Sequence, residues 1–511
     1  SGQERTPLVD ALVAVAGEVK APFFVPGHKM GRGLPSRLED GFMGSTAAAA
    51  ADADADAGSP LRRLLRFDLT EIPGLDNLAD PEDVILDAQR LAAQAFRAKK
   101  TWFLVNGSTS GIIAGILACV AQFQRGATKG GSGGSAPSPG VPKVILPRNV
   151  HKSAIHGLVT SGARPIWVPP HYNPDFDISH GIDMDQLESA LYDHRGEVAC
   201  VVIVSPTYDG VLANIEEISR FCHEYGVPLV VDEAHGAHLA QFSRLVNDGD
   251  PKSNGKLDTA TVQGADVVVQ STHKCLSSFT QSAMLHLPYG SLIESSSIDS
   301  AIPLVQSSSP SYLLMASLDA ARWQYAQVPN LLLQNLRNIS IYARDQISEI
   351  PGLNVLDSAA LASIRTDTTN APAIDPSRIV VACTRAGFSG FEFAAALERS
   401  GIYVEMASSK CITLALSLGN SVRDVELLVA AMRESTSGRA SSKHAEMGST
   451  TFPNFSLIHH PKITPREAFM LPSTKVATSD AIGKISAETI CPYPPGIPVL
   501  LPGEKITQEI I

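Results

Sequence analysis

The chain has 511 residues, 44% of them hydrophobic and 18% charged, with a formal net charge of −11. That length predicts two or three domains and a large core. The acidic balance argues against nucleic acid as the main partner; it favours approach of a cationic substrate, although it serves solubility equally well.

In chain order, residues 1–80 read as an N-terminal arm, 81–340 as a large domain, and 341–511 as a smaller C-terminal domain with a tail. Apolar spacing after a proline predicts a helix over 81–99. A strand at 102–105 and a helix at 110–122 follow, then strands at 144–146, 165–168 and 198–204. A helix over 215–225 precedes strands at 227–231, 265–270 and 282–287. Short apolar strands separated by helices mean an α/β fold with a mostly parallel, buried sheet. A helical region spans 314–348. Beyond it the texture changes to a strand at 379–383, a helix at 390–400, strands at 402–405 and 411–416, and a helix at 421–434. That is a smaller α+β domain. The Ala-rich 47–59, the Gly/Ser-rich 126–140 and the polar 434–450 read as insertions or loops. The seven cysteines are scattered, odd in number and without a Cys-x-x-Cys pair. This suits a reducing compartment and speaks against a disulfide framework or structural zinc. No apolar run approaches transmembrane length. The N-terminus shows neither an initiator Met nor a signal-peptide core. A cytoplasmic location is expected, or an organelle stroma such as the plastid if a targeting peptide has been removed.

Three segments carry chemistry. Asn106-Gly107-Ser108-Thr109-Ser110-Gly111 lies between a strand and a helix. Its Ser108, Thr109 and Ser110 hydroxyls and the helix N-terminus make a phosphate cradle, and the same residues serve as helix caps without any ligand. Asp232 ends a buried strand in Val-Val-Asp-Glu-Ala-His-Gly-Ala-His, at the edge where open α/β sheets place ligands. It also reads as a capping residue, and with His235 and His238 as a metal site if the segment were helical. Ser271-Thr272-His273-Lys274 follows the next strand. A lysine and an aspartate at the ends of two buried strands suit pyridoxal phosphate (PLP): the lysine forms the Schiff base and the aspartate pairs with the pyridinium nitrogen. Ser271 suits the phosphate and His273 a proton transfer. His151, after the strand at 144–146, is placed to stack on the ring, or is a loop histidine satisfied by backbone. Neither Gly-x-Gly-x-x-Gly nor a P-loop motif is present, so nucleotide readings lose support.

Longer motifs then match a family. They are Pro26-Gly27-His28-Lys29, Glu71-Ile72-Pro73-Gly74-Leu75-Asp76-Asn77-Leu78, Asn106-Gly107-Ser108-Thr109, and His151-Lys152-Ser153-Ala154-Ile155-His156-Gly157. Further along come Ser205-Pro206-Thr207-Tyr208-Asp209-Gly210, Asp232-Glu233-Ala234-His235-Gly236-Ala237-His238, the run 307–319, and Pro492-Tyr493-Pro494-Pro495-Gly496-Ile497-Pro498. Nearly end to end, the chain resembles the bacterial-type Orn/Lys/Arg decarboxylases in a short form without the N-terminal wing domain. The resemblance implies the PLP fold type I, that of aspartate aminotransferase: a large domain with a mostly parallel sheet and a smaller C-terminal α+β domain. It implies PLP held covalently by Lys274, with Asp232 on the ring nitrogen, His151 and Ala234 on the two ring faces, and Ser108, Thr109, Ser271 and His273 at the phosphate. Ser110 and His235 count among the cofactor-binding residues, Glu405 would meet the substrate's distal amino group, and no metal is implied. Ser307 and its neighbours would reach the phosphate of a second subunit. A homodimer with active sites at the interface follows, and a higher oligomer is compatible with it. The implied reaction is decarboxylation of a basic amino acid, lysine favoured over ornithine and arginine. An aminotransferase or aldolase-like enzyme, or a non-catalytic pseudoenzyme, are the alternatives. Cys275 departs from the family, where Thr is common, and so do the insertions 47–59 and 126–140.

Overall fold

The computed structural model describes residues 2–35, 38, 60–129, 140–242, 257–327, 329–362, 372–437, 461–491, 497–508 and 510–511. The segment 47–59, most of 126–140, the larger part of 434–450 and most of the 492–498 motif lie outside them.

A seven-stranded sheet forms the centre, in the order β1-β9-β8-β7-β6-β2-β3. Its strands are β1 (Lys100–Leu104), β2 (Lys143–Pro147), β3 (Arg164–Val168), β6 (Val198–Val204), β7 (Leu229–Asp232), β8 (Val267–Gln270) and β9 (Ala283–Leu287). β4 (His171–Asn173) and β5 (Ile178–His180) form a separate hairpin. Only β9 runs against its neighbours, pairing antiparallel with both β1 and β8. The strands are buried along nearly their whole length, as expected for apolar runs that a sheet covers on both faces. Helix Gly107–Lys129 lies against this sheet. A Cβ on Gly111 would stand 2.6 Å from Val269 Cγ1 and 2.7 Å from Leu104 Cδ1. Glycine therefore lets the helix start press onto the strand ends. The stretch Gly107–Gly126 also has the length and apolarity of a membrane span. The sequence reading did not register it, and here half of it is buried inside the protein, as in a core helix.

The sequence assigns most of these elements correctly to within a few residues. Helix Val84–Ala95 starts later than the 81 expected, where Asp76 caps it from a distance: its carboxylate accepts from the amides of Asp83 (2.8 Å) and Ile85 (3.0 Å), donors that have no partner inside the helix; it stops short of 99 where Arg97 takes a φ of 57°.

A second sheet, in the order β10-β11-β13-β12, joins β10 (Asn354–Val355), β11 (Arg378–Ala382), β12 (Met406–Ala407) and β13 (Cys411–Ala415), all antiparallel. Capping boxes open its helices Gly390–Glu398 (Ser389 with Glu392) and Val422–Thr436 (Ser421 with Asp424). The strand expected at 402–405 is a correction. Residues 402–404 are irregular and Glu405 is a bend, and the ladder begins only at Met406, although the Glu405 amide already reaches Thr413 O at 3.1 Å. One apolar core runs from Leu8 and Leu12 through Phe96 and Tyr312 to Phe393 and Met432, so the arm, the large domain and this sheet share buried surface. The described part of the tail packs back on the large domain. Arg466 Nε donates to Val159 O at 2.8 Å, and Arg148 grips both oxygens of Glu504 at 2.7 Å.

Candidate active site

The C-terminal ends of β1, β2, β6, β7 and β8 converge, and each contributes the residues that follow it. β7 ends on Asp232, which pairs in register with Val269 of β8. Four residues after Gln270, the last of β8, the short helix Thr272–Cys275 presents Lys274. Lys274 Nζ lies 3.1 Å from His235 Nε2 and 5.1 Å from the centre of the Tyr208 ring. The Tyr208 and His235 rings pack at 4.4 Å.

Burial sets the protonation states. It depresses the Lys274 amine below its ordinary value, while the Asp232, Cys275 and Glu405 charges pull it back. It pushes the Asp232 carboxyl up to about 6, against the opposing pull of Lys274 and of the Ala234 amide. His151 is brought down to about 4 by burial, then by Lys274 and Lys152. His235 is held well below its ordinary value by burial, then by Lys274 and Arg378. Both imidazoles are therefore neutral at neutral pH. His151 Nδ1 accepts from the Ser153 amide (3.2 Å) and so caps helix Lys152–Ser161. The ring is thus partly satisfied by backbone, and the same bond fixes its orientation.

The hydroxyl cluster spans two strands. Ser271 Oγ donates to Ser108 Oγ at 2.8 Å, with Thr109 next along the first turn of helix Gly107–Lys129. Ser110 is buried, and its hydroxyl donates to Gly107 O within that turn. His273 Nδ1 donates to Ser282 O at 2.8 Å. The Ser307 amide donates to Asn106 Oδ1 at 3.2 Å, and residues 307–309 are exposed at the surface of the single chain. Glu405, in the bend just before β12, acts electrostatically on Lys274. The segment after Asp232 is a turn, not the helix that a shared metal would need, and His238 is instead taken by Asp375 at 3.0 Å. Among the described residues no group of three or more His, Cys, Asp or Glu is arranged for a metal.

Three features were not read from the sequence. Tyr208 lies in the Ser205–Gly210 motif, which by itself marks no role for it. Arg378 donates to His235 Nδ1 at 3.1 Å; it begins a strand of the second sheet, and nothing local marks it. Behind the site, Gln270 Nε2 donates to Glu233 Oε2 (2.6 Å), and its Oε1 accepts from His286 Nε2 (3.0 Å). Only the sheet order brings those three together.

The donor set fits PLP: an amine, a carboxylate one strand away, a neutral imidazole, and paired hydroxyls at a helix N-terminus. The fold agrees. A crystal structure of the Francisella novicida lysine decarboxylase superposes with a TM-score of 0.75, at 20% identity, covering 99% of this chain and 75% of that one. The structure of an alanine–glyoxylate aminotransferase from Nostoc sp. superposes with a TM-score of 0.50, at 15% identity, over 70% of this chain and 88% of that one. Fold and site define a PLP-dependent enzyme of fold type I.

Residues 6–424 match the Orn/Lys/Arg decarboxylase major domain, and 449–511 match the C-terminal domain of the same family. The arginine decarboxylase of Halalkalibacterium halodurans is 34% identical over 100% of this chain and 92% of its own length. That of Bacillus subtilis is 32% identical over 100% and 93%. The chain belongs to the Orn/Lys/Arg decarboxylase family: it is a PLP-dependent decarboxylase of a basic amino acid. The transaminase, aldolase and pseudoenzyme alternatives fall away.

Proposed function

We propose that the substrate is arginine. The sequence reading favoured lysine. The observation that moves the choice is the full-length similarity to two arginine decarboxylases, at 34% and 32% identity, against 20% for the lysine decarboxylase structure. Glu405 supports the same reading. Its carboxylate acts on Lys274 from the small domain, and a carboxylate pairs with a planar guanidinium through two parallel hydrogen bonds. Incubation with arginine, lysine and ornithine in the presence of PLP, with carbon dioxide and the amine product followed together, tests it. Arginine should give the highest kcat/KM, and a preference for lysine or ornithine would overturn the assignment.

In this reading Lys274 would hold PLP covalently, Asp232 would pair with its ring nitrogen, and His151 and Ala234 would enclose its ring. Ser108, Thr109, Ser271 and His273 take the phosphate. When bound, the cofactor supplies the electron sink for the bond that releases carbon dioxide. The chain's own residues do the rest. Burial pushes the carboxyl of Asp232 up to about 6, and a cation beside it would bring that value back down and hold the carboxylate charged over a wider pH range. Lys274, whose amine burial depresses below its ordinary value, can carry a proton to the carbon left by carbon dioxide. His151, anchored by Ser153, keeps one ring orientation. Tyr208 and His235 screen Lys274 from water. Ser307 and its exposed neighbours would complete the phosphate site of a second copy, which makes a homodimer the working unit; a catalytically competent monomer in sedimentation would exclude it.

A further inference from the structure

Arg378 begins β11 of the small domain, yet only 2% of it is exposed, and its guanidinium reaches the lysine site. Nη2 donates to His235 Nδ1 at 3.1 Å and lies 3.9 Å from Cys275 Sγ, while Nη1 donates to Ser377 Oγ at 3.3 Å. Ser377 Oγ in turn donates to Asp375 Oδ2 at 2.8 Å, so the segment before the strand is locked as well. Gly210 makes the approach possible. A Cβ there would stand 2.5 Å from Arg378 Cβ, and its φ of +80° is one that other residues rarely adopt.

A guanidinium only donates hydrogen bonds. His235 Nδ1 facing Arg378 must therefore be the acceptor, and the proton of the neutral ring sits on Nε2. That N–H points at Lys274 Nζ, 3.1 Å away. A lysine nitrogen accepts a hydrogen bond only through its lone pair, which the ammonium form lacks. We propose that Arg378 is a positioning residue for the cofactor lysine: by fixing His235 as the Nε2–H tautomer, it presents a donor that holds Lys274 as the neutral amine. Neutral lysine is the form that condenses with the cofactor aldehyde. The nitrogen lone pair makes the new bond to carbon, and both N–H hydrogens leave with the carbonyl oxygen as water.

The groups around the pair are consistent with this. Asp232, Cys275 and Glu405 favour the charged lysine, while burial and Arg378 oppose it. His235 is kept neutral by burial, then by Lys274, Arg378, His151 and His238. The inference rests on Lys274 being the cofactor lysine, and its tests separate the two ideas.

In the apo protein labelled with 15N-histidine, long-range proton–nitrogen spectra, assigned against His235→Asn, should show His235 with its proton on Nε2. A proton on Nδ1, or an imidazolium, would overturn the proposal. The rate of PLP uptake by apo protein, followed by its visible absorbance across pH, gives the second readout. In Arg378→Met uptake near neutral pH should fall about tenfold for each unit by which the lysine pKa rises, and the deficit should close as pH approaches the ordinary lysine range. Arg378→Lys, which keeps a charge and a donor, should retain uptake near neutral pH. An equal loss at every pH, or no loss, would mean that Arg378 serves packing alone. If Arg378→Met does not fold, the wild-type tautomer decides. Normal PLP uptake by Lys274→Ala would refute the lysine assignment, whatever the His235 spectrum shows.

Discussion

Lys274 owes its chemistry to neighbours that it meets only in the folded chain. A lysine after a strand is ordinarily a surface residue with an unremarkable amine. Here burial, Arg378 and His235 surround it, and Asp232 stands one strand away. Lys274→Ala should lose both the visible cofactor band and turnover, measured on the same sample; retained turnover would refute its role. Asp232→Ala should reduce kcat by orders of magnitude with little change in thermal stability, because a buried carboxyl raised to about 6 adds no stability by ionising. Glu405→Gln should raise KM for arginine about tenfold, and an unchanged KM would remove it from substrate selection. At this scale the sequence offers Lys274, Asp232, His151 and the hydroxyls as candidates, because strand ends and helix starts leave local marks. Arg378 was illegible: its place depends on how the second sheet docks, which no local pattern encodes.

At the scale of elements, the parallel strands were readable as short apolar runs. The sheet order was not, and it decides which side chains meet. Gln270 joins Glu233 on β7's exit to His286 on β9, and Thr259 Oγ1 closes on the same Glu233 oxygen at 2.7 Å. Thr101 Oγ1 of β1 bonds the far side of His286 at 2.8 Å. Gln270→Leu would leave buried His286 Nε2 without its partner and take one of the donors from Glu233, so chemical denaturation should show a loss of ~1–3 kcal/mol. A neutral substitution would mean that the network carries no net stability. The stretch 402–405 was misread as strand because Ile402 and Val404 alternate with polar residues. In the structure they pack as partly buried side chains on the apolar core, without a ladder partner until Met406.

For the whole molecule, two buried ion pairs tie parts distant in sequence. His238 and Asp375, 1% and 0% exposed, join the large domain to the residues before β11. Burial works against the charge on both; Asp375 nonetheless raises His238 from 6.5 to about 10, and His238 lowers Asp375 from 3.8 to about 2. The folded histidine pKa lies above its unfolded value, so its stabilisation is complete below pH 6.5 and drains away up to about 10. The folded aspartate pKa lies below its unfolded value, so its share is complete above 3.8 and is lost as pH falls towards 2. The difference in unfolding free energy between wild type and His238→Gln should thus be widest between pH 4 and 6.5 and shrink as pH rises to 10. A pH-independent difference would contradict the charged pair. Arg148 and Glu504, with side chains 12% and 5% exposed, hold the tail over the exit of β2. Glu504→Leu strands a buried guanidinium and should cost ~3–5 kcal/mol, with earlier proteolysis in residues 461–508; unchanged cleavage would show that the tail is held elsewhere. The tail's Pro-rich composition gave no hint of this clasp, since a single Arg–Glu contact across most of the chain leaves no periodic signal.

Every role assigned to the site depends on the covalent bond between PLP and one lysine. Borohydride reduction of the cofactor-loaded protein, followed by digestion and peptide mass analysis, reads that bond directly. The reduced pyridoxyl group should be found on Lys274 in the peptide that contains Ser271 and His273. A label on another lysine, or none in a protein that still turns over a basic amino acid, would contradict the account.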